Sequence, residues 1–521
     1  MGVNGRRRGQ VAWAGLALPE VVLLGALIAW SFVVVVHLLA ELHGGSLTGA
    51  DGPFPADQLQ YLAWMRDSGT HGLAGDLFEI PRGARVFVQP MWLLSGLLWR
   101  AGASLPVAMF VWKPLVAVAL ALGIRAYVAR MIADLSAVSR SAVVLLAVGY
   151  SSPFLLLTNR GSSLAGEMFS AGQLWGYLPS VLAVALMPVY LLLLERAMSV
   201  PARPRAGTLL GLGGSAALVG WLHPWQGETL LLLTAGLVIW RRAWRSAPLL
   251  IGLGASALPL AGYFALAHLD PSWRTAQAAE NISSGSFVDL VIALAPLAVL
   301  AATGLRQPAG DLQEQALLLW PAASVATFAV LAPSFPGHSL EGIAIPLAVM
   351  SARGLLRVRL PEHLHRSHLR GAPLGLAVGA LVLTIPGVAN STHFALRLVG
   401  DGRGGQIIDP SERSALRYLA SLPGSGGVLA PATIGAAVPA FTGRPTWVGH
   451  PAWTPDYNAR YRLASAVSKA ALPPPAGRAA VQASRARYVL VGCGSPDLAE
   501  LLGPLMTSSH RFGCATVYTL R

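Results

Sequence analysis

The segment from Glu41 to Gln89 gathers Asp51, Asp57, Tyr61, Asp67, Asp76 and Glu79 between two long apolar stretches. A carboxylate in such a setting either accepts a proton from a hydroxyl or holds a cation. Asp57 is placed for the first task. It follows Pro55 by two residues, and a proline at a first helical position starts a helix that runs to about Arg66. The carboxylate then lies in the first turn, where the helix dipole favours the ionised form that a base requires. Leu59, Tyr61, Leu62, Trp64 and Met65 give that helix apolar and aromatic sides suited to a membrane surface, with Tyr61 shaping a pocket. Asp51, in Asp51-Gly52-Pro53, is the rival acid, although the triplet also reads as a turn. The plain alternative for Asp57 is a charge that only starts a helix.

Other polar residues interrupt apolar surroundings. Arg160 shares a loop with Asn159 and Glu167, and its forked donors suit a phosphate, although a loop arginine also reads as simply solvated. His223-Pro224-Trp225-Gln226-Gly227-Glu228 breaks an apolar run, which is costly in hydrocarbon unless the break lines a wet cavity or is satisfied between helices. His338 and Glu341 close a bend that opens at Pro333 and have the same two readings. No two of His223, Glu228, His338 and Glu341 show a tight ligand spacing on one helix, so the sequence assigns no metal set and leaves a divalent cation open. Lys113 lies inside an apolar run with Pro114 behind it, so it binds a lipid phosphate, snorkels or forms a structural pair. Arg444, His450 and Arg460 punctuate an aromatic, proline-rich loop from Phe441 to Tyr461, which reads as docking and cavity lining.

The elements that must position these residues are set by composition. The 521 residues are 54% hydrophobic and 12% charged, against about 25% charged in soluble domains, and mean hydropathy is +0.56. The chain therefore reads as a polytopic α-helical membrane protein, with about 11 to 13 spans at roughly 20 residues each. Its net charge of +14 comes almost wholly from arginine, Lys113 and Lys469 being the lysines. The arginines are scattered in short clusters rather than gathered on one face, which argues topological bias and against nucleic-acid binding. Arg6, Arg7 and Arg8 precede an apolar run from about Val21 to Ala40, expected to stay as a first span with its N-terminus cytoplasmic. Clusters at Arg125/Arg130/Arg140, Arg196/Arg203/Arg205, Arg241/Arg242/Arg245 and Arg353/Arg357/Arg359/Arg366/Arg370 are then also cytoplasmic. The loop 41–89 and the segments 159–176, 223–228, 268–287 and 332–341 face outward. Two apolar stretches, Val88–Val128 and Leu222–Trp240, are interrupted and read as spans or half-inserted hairpins.

After a last span at roughly Leu374 to Val388, polar residues return. Residues 1–390 are thus expected to form the membrane domain, and residues 391–521 a small extracytoplasmic α/β domain. Asp409-Pro410-Ser411-Glu412 has the cap, first-turn proline and third-position acid of a helix running through Leu422. Strands fit Gly427–Ala430, Arg487–Gly492 and Ala515–Leu520, with a helix from about Pro496 to Met506. Cys493 and Cys514 either form a disulfide in an oxidising compartment or are two small buried hydrophobes.

With Asp57-Gln58-Leu59-Gln60-Tyr61 in the first outward loop, Pro90 opening the next apolar run, and an outer C-terminal domain holding Phe441-Thr442-Gly443-Arg444 and Gly449-His450, the chain resembles the GT-C superfamily of integral-membrane glycosyltransferases. Protein mannosyltransferases and aminoarabinose transferases are members. The architecture matches over nearly the whole chain, the motifs over a small part of it. Many members carry Asp-Glu where this sequence has Asp57-Gln58, a departure that bears on any role of a second acid. The resemblance implies transfer of a hexosyl or pentosyl group from a polyprenyl-phosphate donor to a glycan, lipid or protein acceptor on the outer face of a bacterial-type plasma membrane, with inversion. Taken with the residues weighed above, the reading has Asp57 as the catalytic carboxylate and Asp51, Tyr61, Lys113, Arg160, His223, Glu228, His338 and Arg444 as candidate substrate contacts. The absence of a nucleotide-binding glycine motif suits a lipid-phosphate donor. A secondary transporter would show two related halves, which the sequence lacks, and a non-catalytic envelope protein would leave the loop carboxylates replaceable.

Overall fold

The computed structural model describes residues 15–158, 162–199, 204–279, 286–306, 310–331, 335–357 and 371–521. Among them, five helices are long and apolar enough to cross a membrane: Leu105–Met131, Leu178–Met198, Ala247–Leu269, Pro336–Arg357 and Gly375–Val399. The bent pair Leu18–Ser31 and Val33–Ala40 makes a sixth if taken together. Other apolar runs behind the expectation of about 11 to 13 spans fold as helices of 10–17 residues, namely Ala137–Gly149, Ala206–Leu222 and Phe287–Thr303. The two interrupted stretches resolve differently. The first divides into Pro90–Arg100 and Leu105–Met131, and the second breaks at His223, where Ala206–Leu222 ends and Pro224–Arg241 begins. The final span is longer than its apolar core, because the polar turn residues beyond Val388 continue the helix to Val399.

The chain folds as two compact units, each assembled from separated segments. One comprises residues 15–31, 113–262 and 286–394. Its helices meet through small residues, as membrane helices do when backbones must approach closely. A Cβ on Gly304 would collide with the Met350 carbonyl, and one on Gly354 with the Thr303 hydroxyl. Four arginines at or near its helix ends are paired with acids, which lowers the cost of placing charges beside apolar surroundings. Glu20 accepts from Arg125 at 2.8 Å and also from Arg140, Arg130 bridges Glu195 and Asp311, and Arg353 forks onto Glu314 at 2.7 Å.

The second unit comprises residues 32–112, 263–279 and 395–521, so the loop 41–89 and the C-terminal segment share one core. Helix Pro55–His71 crosses Pro90–Arg100 where Gly69 faces Gly96, and a Cβ on either glycine would strike the other helix's backbone. Ser46–Leu47 pairs antiparallel with Ile407–Ile408. A four-stranded sheet runs in the order Val428–Leu429, Tyr488–Val491, Ala515–Leu520, Met506–Phe512, its first pair parallel and the others antiparallel. Three of these strands coincide with those expected from sequence. The fourth takes the place of the end of an expected helix, which is reduced to Ala499–Leu502 and a 3-10 turn over Gly503–Leu505. Leu429, Val448, Val489, Val491, Leu498, Leu502 and Tyr518 fill the core of this sheet. Asp409 caps helix Pro410–Ser421 by accepting from Ser411 N at 2.8 Å, as its cap signature predicts. Cys493 and Cys514 are joined in a disulfide, with Cα atoms 4.8 Å apart.

Candidate functional site

Asp57 stands in the first turn of helix Pro55–His71, two residues after its N1 proline, with its side chain 36% exposed. The residue that faces it comes from the far end of the sequence. His450 is buried in the loop after Ala432–Thr442, and its Nδ1 accepts the backbone N–H groups of Ala452 at 3.0 Å and Trp453 at 3.3 Å. With Nδ1 an acceptor, the neutral ring carries its proton on Nε2, which donates to Asp57 Oδ1 at 3.1 Å. The Phe78 ring flanks the imidazole at 5.7 Å. Gly449 is required next to it, since a Cβ there would come within 2.9 Å of Phe78 and 3.0 Å of the Gly435–Ala436 backbone. The result is a partly exposed carboxylate that accepts a hydrogen bond from a buried imidazole.

Gln58 explains how the neighbouring acid is placed. Its Oε1 accepts from Asp51 N at 2.6 Å and Gly52 N at 2.9 Å, while Gln406 Nε2 donates to Gly52 O at 3.1 Å. These bonds fix a fully buried turn carrying Asp51. The amide that replaces an expected second acid thus serves the backbone. Tyr61, one turn further along the helix from Asp57, stacks on Trp92 with ring centroids 4.9 Å apart. Asp67 is committed to structure, accepting from Arg85 at 2.9 Å and from Gly75 N at 3.0 Å.

A second acidic group lies in the same unit. Asp76 is buried and accepts from Phe78 N at 2.8 Å. Burial pushes its pKa well above the usual carboxylate range, the nearby charges of Glu79 and Asp270 raise it further, and Phe78 N and Arg460 oppose them. Glu79 accepts from Ser272 Oγ at 3.0 Å, and Asp270 caps helix Pro271–Ala279. That helix also brings Trp273, which lies parallel to Trp64 at 6.3 Å, while Trp453 presents an edge to both at 5.2 and 5.1 Å. Trp273 and Asp270 carried no signal in the sequence beyond lying in a polar segment between apolar runs.

In the other unit, His338 Nδ1 lies 2.9 Å from Glu167 Oε2 and 3.2 Å from Glu341 Oε1, and His223 Nε2 lies 3.8 Å from the same Glu341 oxygen. His223, His338 and Glu341 bring one ligand-type atom each within 4.8 Å of one another. Gln226 supports the arrangement by donating to His338 O at 2.8 Å. Glu228 lies apart from these contacts, with its Oε2 buried and without a hydrogen-bond partner.

The remaining basic candidates are engaged by the backbone. Lys113 is completely buried, its Nζ donating to Ser31 O at 2.8 Å and Leu174 O at 2.7 Å, where two helical segments end. Arg444 donates to Leu419 O at 2.8 Å, to Leu422 O and to Gly426 O at 3.2 Å, and lies over the Tyr488 ring. Arg160 lies outside the described residues.

Comparison with solved structures places this fold. The crystal structure of ArnT from Cupriavidus metallidurans bound to undecaprenyl phosphate aligns with 95% of this chain and 98% of its own, at a TM-score of 0.50 and 14% identity. The mycobacterial arabinofuranosyltransferase AftD aligns with 96% of this chain and 41% of its own, at a TM-score of 0.51 and 16% identity. No protein-family model and no curated protein sequence matches the chain. The chain has the fold of the GT-C membrane glycosyltransferases.

Proposed function

We propose that this protein transfers a sugar from a polyprenyl-phosphate donor to an acceptor hydroxyl, with Asp57 as the base. The observation that carries the reading is the Asp57–His450 contact, in a chain whose fold is shared with a transferase bound to undecaprenyl phosphate. Asp57 is a partly exposed carboxylate in the first turn of a helix, oriented by the Nε2–H of a buried histidine, and a carboxylate so placed can accept the proton of an incoming O–H. As the acceptor oxygen attacks the anomeric carbon, its proton passes to Asp57. The bond from that carbon to the phosphate oxygen breaks, and the polyprenyl phosphate leaves with the electron pair. Attack opposite the leaving group inverts the anomeric centre.

In this reading Tyr61 and Trp92 form an aromatic wall suited to a sugar face, and Gln58 holds the turn that carries Asp51 before the helix. Lys113 and Arg444 serve the fold, because Lys113 donates to two backbone carbonyls and Arg444 to three. Residues 391–521 and the loop 41–89 face outward, and the donor reaches the site from the outer leaflet. The test supplies purified protein with a labelled polyprenyl-phosphate sugar and envelope extracts as acceptor, comparing wild type with Asp57→Asn. Labelled product together with released polyprenyl phosphate is expected from wild type only. Transfer that survives the substitution unchanged removes Asp57 from the mechanism, and flux across sealed vesicles without a new glycosidic bond replaces the reading with transport.

A further inference from the structure

We infer that His223, His338 and Glu341 form a binding site for a first-row divalent transition-metal ion of the zinc type. Three residues bring a ligand-type atom each within 4.8 Å of one another there, and Glu167 Oε2 lies 2.9 Å from His338 Nδ1 beside them. A proton on His338 Nδ1 satisfies one or both carboxylates and leaves His223 unexplained. Its Nε2 is 3.8 Å from Glu341, too far for a hydrogen bond, and its buried Nδ1 has no partner. A buried imidazole held by no hydrogen bond, aimed at a carboxylate oxygen shared with a second imidazole, is accounted for by a cation between them.

The dimensions agree. A tetrahedral zinc site with bonds of roughly 2.0–2.1 Å sets its ligand atoms about 3.3–3.4 Å apart. Here His338 and Glu341 are separated by 3.2 Å and His223 and Glu341 by 3.8 Å, and all three ligand atoms lie within 4.8 Å of one another. Two imidazole nitrogens select zinc, cobalt or nickel over magnesium, which prefers an all-oxygen shell.

The ligands come from two places that the sequence keeps apart. His223 sits at the junction of Ala206–Leu222 and Pro224–Arg241, and His338 and Glu341 in and after the 3-10 turn Pro336–Leu340. A bound ion would pin these segments together. This explains why the sequence carries no ligand spacing on a single helix. It is independent of the role given to Asp57.

The test uses the full chain in detergent, stripped with chelator and titrated with Zn2+, Co2+ or Mg2+. Wild type is expected to take up one Zn2+ per chain, to give tetrahedral ligand-field absorption with Co2+, and to gain thermal stability with either ion but not with Mg2+. His223→Ala and Glu341→Gln are expected to weaken Zn2+ binding at least tenfold. Zinc absorption-edge spectra of the wild type, which need no variant to fold, should show scattering from two imidazoles. A wild type that binds no stoichiometric zinc, a zinc spectrum without imidazole scattering, or affinity unchanged in both variants overturns the site and leaves an ion-pair network around His338.

Discussion

His450 donates its Nε2–H to Asp57 Oδ1 across 393 residues of sequence, and the bond is one-directional because the backbone of Ala452 and Trp453 occupies the other ring nitrogen. The histidine therefore orients the carboxylate without neutralising it. Asp57→Asn is expected to lower kcat roughly 10²- to 10⁴-fold, the range for losing a general base. His450→Ala is expected to cost less, on the order of 10-fold, while His450→Gln, whose amide N–H can still donate, recovers part of the loss. Measuring kcat and KM separately distinguishes the two effects, since a change confined to KM would assign His450 to substrate binding instead.

Gln58 offers a second check, this time on stability. Its Oε1 is the acceptor for two backbone N–H groups in a turn with no access to water. Gln58→Ala leaves both donors unmet, and buried unsatisfied groups cost about 1–3 kcal/mol each. Gln58→Glu keeps the acceptor but buries a second charge beside Asp51, so its stability should fall as pH rises through the carboxylate range. Thermal unfolding across pH reads both. An unaltered melting temperature in Gln58→Ala would show that the turn does not depend on the amide.

Asp76 titrates in the opposite sense to a salt-bridged acid. Its folded pKa is raised by burial and by Glu79 and Asp270, so the fold holds a proton that the unfolded chain releases near the ordinary carboxylate value. The stability it contributes is full below that ordinary value and is lost as pH rises through the folded pKa. Asp76→Asn keeps an oxygen for Phe78 N and removes the charge. The variant should be more stable than wild type at neutral and alkaline pH, with a flatter dependence on pH. Parallel curves for the two proteins would show that Asp76 is ionised in the fold.

Much of the local structure was legible because it rests on short-range rules. The Pro55 start, the Asp409 cap and the strand at Ala515–Leu520 each follow from a few adjacent residues. What was not legible is long-range. Nothing near Asp57 announces His450, and nothing near His223 announces Glu341, because each partner is delivered by a different segment. The strand at Met506–Phe512 was missed for a related reason: Thr507, Ser508, Ser509, His510 and Arg511 are exposed and polar, and only pairing with Ala515–Leu520 makes them a strand. Lys113 was legible as unusual but not as settled, since its carbonyl partners lie at Ser31 and Leu174.

That ammonium supplies the last prediction. Lys113 Nζ meets two backbone oxygens at helical ends, where the partial negative charge of the peptide dipoles favours a cation. Lys113→Met preserves much of the side-chain volume and removes every donor. Hydrogen bonds to charged groups contribute about 1.5–3 kcal/mol each, so the variant should unfold at distinctly lower temperature. Transfer per folded molecule and the KM for the polyprenyl-phosphate donor should stay close to wild type, because the reading gives Lys113 no contact with the donor. A variant with unchanged melting but a many-fold higher donor KM would reverse this assignment and make Lys113 a phosphate ligand. Thermal unfolding and a donor titration on the same preparation therefore separate support of the fold from contact with substrate.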